Sequence, residues 1–131
     1  MRVVLDTNVI VSAFLTPSGK PSAILQLVLR GDIEVFLNTA ILAEYEQILH
    51  RSKFAGIIQK PSITRFFDIL SEIGSSAVST PSKTVLPDEA DLKFYELAKT
   101  VGAVLVTGNK KHYPDEPFIL SPAKFYDTID I

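Results

Sequence analysis

The stretch Arg2-Val3-Val4-Leu5-Asp6-Thr7-Asn8-Val9-Ile10 decides how the rest of the chain is read. An apolar run of strand-forming residues ends in an aspartate, and a Thr-Asn pair suited to starting a helix follows. The pattern sets a carboxylate at the C-terminal edge of a buried strand. In open parallel sheets that edge binds ligands, because the loops there diverge and leave a crevice where the strand order reverses. Asp6 is therefore the first candidate for chemistry. The plainer reading stands beside it: Asp6 begins a turn, and Thr7 or Asn8 caps a helix.

Composition bounds the possibilities. A chain of 131 residues fits one domain spanning 1–131, and 47% hydrophobic content with a mean hydropathy of +0.24 suffices for a packed core. There is no cysteine, so any metal must be held by oxygen or by the two histidines, His50 and His112, which points to a hard cation. The longest apolar stretches are broken by Asp6, Arg30 or Asp32 before they reach membrane-spanning length, and residues 1–15 lack the charged start and cleavage site of a signal peptide. A soluble, cytoplasmic protein is the expectation. The net charge of -2 argues weakly against simple electrostatic binding of nucleic acid. Clustered carboxylates in a metal site would lower that charge without removing a basic rim, so net charge does not decide the partner.

Beyond the first strand, strands alternate with helices. Val9 to Leu15 is short and apolar, and Pro17-Ser18-Gly19-Lys20-Pro21 ends it. Ser22 is expected to cap a second helix carrying Ala23, Ile24, Leu27 and Val28, with Gly31 as its stop. Ile33, Val35 and Leu37 alternate as a second strand, after which Asn38-Thr39 can cap the helix that carries Glu44. Pro61 opens a helix with Ile63, Phe66, Phe67, Leu70 and Ile73 on one side, and Gly74-Ser75-Ser76 ends it before a short strand around Ala77 to Val78. Ser79 to Lys83 reads as a loop. From Asp88 the pattern is helical to Val101, then Ala103 to Val106 forms a buried strand running into Thr107-Gly108-Asn109. A strand near Phe118 to Leu120 and a helix from Pro122 to about Ile129 finish the chain. This alternation, with near-continuous apolar strands, argues for a parallel sheet covered on both faces. Right-handed crossovers then bring Asp6 and Thr107-Gly108-Asn109 to one edge.

The helices supply the other acidic groups. Ile41, Leu42, Tyr45, Ile48 and Leu49 form one apolar stripe, which Glu44 and Glu46 flank on opposite sides; periodicity does not choose between them. On the helix from Asp88 the stripe is Ala90, Phe94, Leu97, Ala98 and Val101. Asp91 borders it, either as a ligand or as a favourable charge at a helix N-terminus, whereas Asp88 points away and sits where an N-cap belongs.

Four blocks now stand in order: Val4-Leu5-Asp6-Thr7-Asn8-Val9-Ile10-Val11-Ser12-Ala13, Leu42-Ala43-Glu44, Pro87 to Ala98, and Gly102 to His112. Together they resemble the PIN-domain nucleases, and the Thr-Gly-Asn-Lys ending is similar to the toxin components of toxin-antitoxin systems related to VapC. The resemblance implies an α/β/α sandwich around a parallel sheet and makes Asp6, Glu44 and Asp91 the metal-binding carboxylates, selecting Glu44 over Glu46. It also implies an RNA substrate, a cognate antitoxin and a homodimer. Where most PIN nucleases place a further aspartate after the Thr-Gly pair, this chain has Asn109, which offers a carbonyl oxygen but no charge. A site with three carboxylates should hold one Mg²⁺ or Mn²⁺, with a second ion bound more weakly. Asp88 is a doubtful substitute.

Three converging carboxylates would repel one another at neutral pH unless a divalent cation neutralised them, and hydrolysis of an RNA phosphodiester is the chemistry such a site serves. Asn8, Thr107 and Asn109 could support a ligand carboxylate or a phosphate, and Lys110, Lys111 and His112 either hold the substrate backbone or form a solvated loop. Two rival functions remain. A haloacid-dehalogenase-like phosphatase needs a second aspartate two residues after the first, where this chain has Asn8. A PIN fold that binds or scaffolds without cutting would be marked by Asn109. Finally, Phe54, Ile57, Ile58, Ile63, Phe66, Phe67 and Leu70 exceed what one face of a small sheet needs, so part of that strip is expected at an interface.

Overall fold

The computed structural model describes residues 1–129. Its core is a parallel sheet of five strands: β1 (Arg2–Leu5), β2 (Glu34–Leu37), β3 (Ser75–Ser76), β4 (Val104–Val106) and β5 (Ile119–Leu120), in the order β3-β2-β1-β4-β5. The chain runs outward from β1 through β2 to β3, returns to the other side of β1 and continues to β5. The reversal therefore lies between β1 and β4, where Leu5 pairs with Val106 and each strand then runs into Asp6 or Thr107.

Helices α1 (Thr7–Leu15) and α2 (Lys20–Leu29) connect β1 to β2, and α3 (Thr39–Leu49) and α4 (Lys60–Ile73) connect β2 to β3. The return connection carries α5 (Leu92–Val101), which packs on β1, β2 and β4, and α6 (Pro122–Asp127) follows β5 to lie against α2. Crossovers that run in opposite directions across a sheet place their helices on opposite faces, which gives the expected α/β/α sandwich. In β1, β2 and β4, Val3, Val4, Leu5, Val35, Phe36, Leu37, Leu105 and Val106 are all buried, as strands covered on both faces require. Among the described residues no helix is long and apolar enough to cross a membrane.

Several local expectations shift. Ser22 is buried inside α2 rather than capping it: the helix begins at Lys20 with Gly19 at its N-cap, because Pro21 suits a first turn where its missing N–H costs nothing. The strand expected at Ala77 to Val78 lies earlier, at Ser75–Ser76, and Val78 is exposed. Gly74 explains this. A Cβ there would meet Leu37 Cδ1 at 2.5 Å, so the chain leaves α4 already pressed against β2 and pairs with it at once. Asp88 accepts from the Ala90 amide at 3.0 Å and tightens the next residues into a 3₁₀ turn, Glu89–Asp91, so α5 proper starts at Leu92 and Ala90 is exposed rather than part of the core stripe.

Most of the apolar strip around α4 is covered within the chain, which leaves Ile57 and part of Phe67 for an interface. Phe54, Ile58, Ile63, Phe66 and Leu70 are buried within the chain, Phe67 is partly buried against them, and Ile57 alone of the set is exposed. Phe66 sits among Phe14, Tyr45 and Phe67 with ring centroids 5.5, 6.3 and 5.1 Å away. The surplus was apparent because α4 covers α2 and the far end of α1 as well as reaching the sheet, so one helix serves several neighbours.

Candidate functional site

Asp6 follows the last residue of β1, and its backbone amide donates to the Val106 carbonyl at 3.0 Å, extending the β1–β4 pairing to the sheet edge. It occupies the N-cap position of α1, yet its side chain makes no capping bond. One carboxylate oxygen, Oδ2, accepts from Thr107 Oγ1 at 2.9 Å and from Tyr113 OH at 2.8 Å. Asp6 is only 5% exposed and Thr107 fully buried, so the carboxylate is held in place by two neutral hydroxyls out of bulk water.

Asn8 ties the two edges together. Its Oδ1 accepts from the Gly108 amide at 2.9 Å, and a Cβ on Gly108 would come within 3.3 Å of that oxygen, so the loop after β4 can approach this closely with glycine at 108. Asn38 caps α3 by accepting from the Ile41 amide at 2.9 Å, and this helix separates the two glutamates that periodicity left open. Glu44 faces the same cleft as Asp6, whereas Glu46 lines a different groove, between α3 and α4. Glu44 accepts from Thr7 Oγ1 and, through Oε1, pairs with Lys93 Nζ at 2.7 Å.

Asp91 enters from the 3₁₀ turn before α5. Its Oδ2 lies 3.0 Å from His112 Nδ1, and the Asn109 side-chain amide lies 3.0 Å from His112 Nε2. Because the amide N–H can only donate, Nε2 is the acceptor, and the ring proton sits on Nδ1 and points to Asp91. Asn109 thereby sets the tautomer of the histidine that orients Asp91.

The resulting cleft has a volume of about 470 Å³ and brings together Asp6, Asn8, Glu44, Asp88, Asp91, Asn109 and His112. Lys110 and Lys111 are exposed on the following turn and do not line it. Burial raises the Asp6 carboxyl above the ordinary aspartate range, opposed by the Tyr113 and Thr107 hydroxyls and reinforced by the negative charge of Glu44. Burial likewise raises Asp91, with the charge of Asp6 adding to it and His112 opposing. The buried Tyr113 and Tyr45 hydroxyls are both raised, first by burial and then by Asp6, so both stay protonated.

Among the described residues no three His, Asp or Glu side chains form a ready-made metal cage. The donor set still suits Mg²⁺ or Mn²⁺, because such ions keep several waters and are commonly held by one or two carboxylates plus substrate phosphates. Asp6 and Asp91 each have one oxygen engaged in the bonds above and a second outside them, and their mutual repulsion is what a divalent cation would relieve.

Several residues in and behind this cleft carried no local signal. Tyr113, which reaches Asp6, lies in an irregular segment after β4, Lys93, which reaches Glu44, is one of two lysines on α5, and Arg51 and Lys53 line the cleft from the connection after α3. A polar aromatic in the Lys110 to Pro117 loop is the nearest thing to a hint.

Comparison with known proteins places this arrangement. The chain is 32% identical over 113 residues to the uncharacterized protein MJ1680 of Methanocaldococcus jannaschii, covering 84% of this chain and 72% of that protein. Its fold resembles a chain of the crystal structure of VapBC2 from Rickettsia felis bound to a DNA fragment from their promoter, with a TM-score of 0.62, 21% identity, and coverage of 92% of this chain and 98% of the other. The sequence model of the PIN domain matches residues 2–111, a span that contains β1 with Asp6, α3 with Glu44 and the turn with Asp91, and the chain therefore belongs to the PIN domain family.

Proposed function

We propose that the chain is a metal-dependent endoribonuclease, the toxin of a toxin-antitoxin pair, with Asp6, Glu44 and Asp91 as its working carboxylates. The observation that carries this reading is the convergence of these three carboxylates in one cleft at the point where the strand order reverses. Membership of the PIN domain family and the fold-level likeness to VapBC2 support it.

Asp6 and Asp91 would hold Mg²⁺ or Mn²⁺, which when bound lowers the pKa of a water, orients it and screens charge developing on the phosphoryl oxygens. Tyr113 and Thr107 fix the Asp6 carboxylate, and His112, set by Asn109, does the same for Asp91. Glu44, which lines the same cleft from α3, would orient the attacking water. Asn8 holds the Gly108 loop against the site, and Asp88 caps the turn that presents Asp91. Arg51 and Lys53 are exposed at the cleft, where they can meet substrate phosphates, with Lys110 further out along the strand's path. A phosphatase of the haloacid-dehalogenase kind is disfavoured because Asn8, engaged with Gly108, cannot donate a proton to a leaving group.

The decisive test is cleavage of single-stranded RNA by purified protein with Mg²⁺ or Mn²⁺, abolished in Asp6→Asn and Asp91→Asn. Normal binding of these ions with no cleavage by the wild type would instead favour the second reading, a PIN fold that binds without cutting, to which Asn109 and the neutralised Glu44 point.

The antitoxin and a homodimer belong to the same reading. With the α4 strip mostly buried, the surface we assign to a partner is the groove of about 620 Å³ between α3 and α4, lined by Leu42, Ile63 and Phe67. Light scattering at micromolar concentration should give a dimer mass that falls when Phe67 is replaced by Ser; a monomer in both refutes the dimer.

A further inference from the structure

We infer that the Lys93 ammonium offsets the charge of Glu44 in place of a second metal ion, so that this site is built to hold one divalent ion through Asp6 and Asp91. The inference rests on the metal-site reading above and concerns how the charge of that site is balanced. Lys93 Nζ lies 2.7 Å from Glu44 Oε1, and the Ala90 carbonyl accepts a hydrogen bond from the same ammonium. Its charge also lies 5.2 Å from the centre of the buried Phe94 ring. Both partners of the pair are only 21% exposed, which sets it apart from the other lysine and arginine ion pairs of the described residues, whose side chains are about half exposed or more. A shielded pair of this kind is screened little by salt and holds its geometry.

The other Glu44 oxygen accepts from Thr7, so neither oxygen is left without a partner. Glu44 lines the cleft while Lys93 does not, which makes Lys93 a positioning residue that acts through Glu44 rather than on the substrate. Asp88 also lines the cleft but is spent on the Ala90 amide, and Arg51 and Lys53 stand exposed at its rim; of the three working carboxylates, the Lys93 ammonium offsets Glu44 and leaves Asp6 and Asp91, two negative charges that one divalent ion would balance. With Glu44 already offset, Asn109, whose amide is engaged with His112, need not supply a further charge.

Manganese titration of the metal-free full-length protein, by calorimetry or by paramagnetic resonance, tests this. Wild type should bind one ion per chain. Lys93→Met, which leaves the Glu44 charge without its partner, should bind a second ion or bind the one more tightly by about tenfold. Lys93→Arg should behave as wild type, and Lys93→Met combined with Glu44→Gln should return to one ion. Circular dichroism on each variant separates this from loss of fold, and Lys93→Gln, which also removes the charge, serves if the Met variant does not fold. Two ions in wild type, or unchanged number and affinity in folded Lys93→Met, overturn the inference. Wild type that binds one ion but cuts no RNA overturns the nuclease reading alone; wild type that binds none overturns both.

Discussion

The Asp6 corner and the Glu44 corner of the cleft are built in opposite ways. Asp6 is held by neutral hydroxyls from Thr107 and Tyr113, which fix its position and leave its charge intact. Glu44 is held by a hydroxyl and an ammonium, which fix its position and offset its charge. The difference teaches where a cation is wanted. A buried carboxylate without a positive partner is a standing electrostatic cost, and at Asp6 that cost is increased by Glu44 and shared with Asp91.

The largest expected effect follows directly. Asp6→Asn should take both RNA cleavage and manganese binding to background, whereas Glu44→Gln should keep most of the ion's affinity and lose cleavage alone. Calorimetry and a cleavage assay run on the two variants side by side would read this, and equal loss of metal in both would break the comparison.

Next in size is Tyr113→Phe, which removes one of the two hydroxyls on Asp6. Loss of such an outer partner should weaken metal binding by about 10- to 100-fold. The cost to folding should be about 1 kcal/mol, the ordinary worth of one hydrogen bond. A loss of stability large enough to unfold the chain would mean that Tyr113 serves the core and not the site.

A third test uses pH. Both Asp6 and Asp91 are raised in the folded state, so the native protein holds their protons more tightly than the unfolded chain does. The stability they contribute is complete below the ordinary aspartate range and is lost as pH rises through the raised values. Metal-free protein should therefore be less stabilised by these groups at neutral pH than below the ordinary aspartate range, and Asp6→Asn should raise its melting temperature at neutral pH. Melting curves in chelator at the two conditions decide it. A lower melting temperature for the variant at neutral pH would show that its hydrogen bonds outweigh its charge.

The smallest expected effect is that of Asn109→Asp by itself. With Lys93 still on Glu44, metal stoichiometry should stay at one, and the new carboxylate should tighten a second ion only when Lys93→Met is also present. The change also removes the amide that donates to His112 Nε2, so a small loss in the orientation of Asp91 is expected from the same calorimetry.

Much of this was legible in the residues. The apolar run before Asp6 and the one before Thr107 marked two strands whose C-terminal ends meet, and the right-handed crossover rule placed them on one edge without any coordinates. Glu44 and Glu46 show where that reasoning stops. Both border the same apolar stripe, and only the position of α3 relative to α4 and α5 sends one into the acidic cleft and the other into a groove. The strip around α4 misled for a related reason. Counting large apolar residues says how much surface needs cover, but Phe66 is covered by Phe14 and Tyr45 from helices far away in the chain.

What the chain determined by itself is the alternation of strands and helices and the placing of Asp6 at a strand end, because burial periodicity and capping are properties of neighbouring residues. Only the tertiary structure decided that Tyr113 would reach Asp6, that His112 would orient Asp91 and that Lys93 would neutralise Glu44. Those contacts depend on strand order and on the rotation of each helix about its axis, which are set by how the whole core closes and leave no trace in any local pattern.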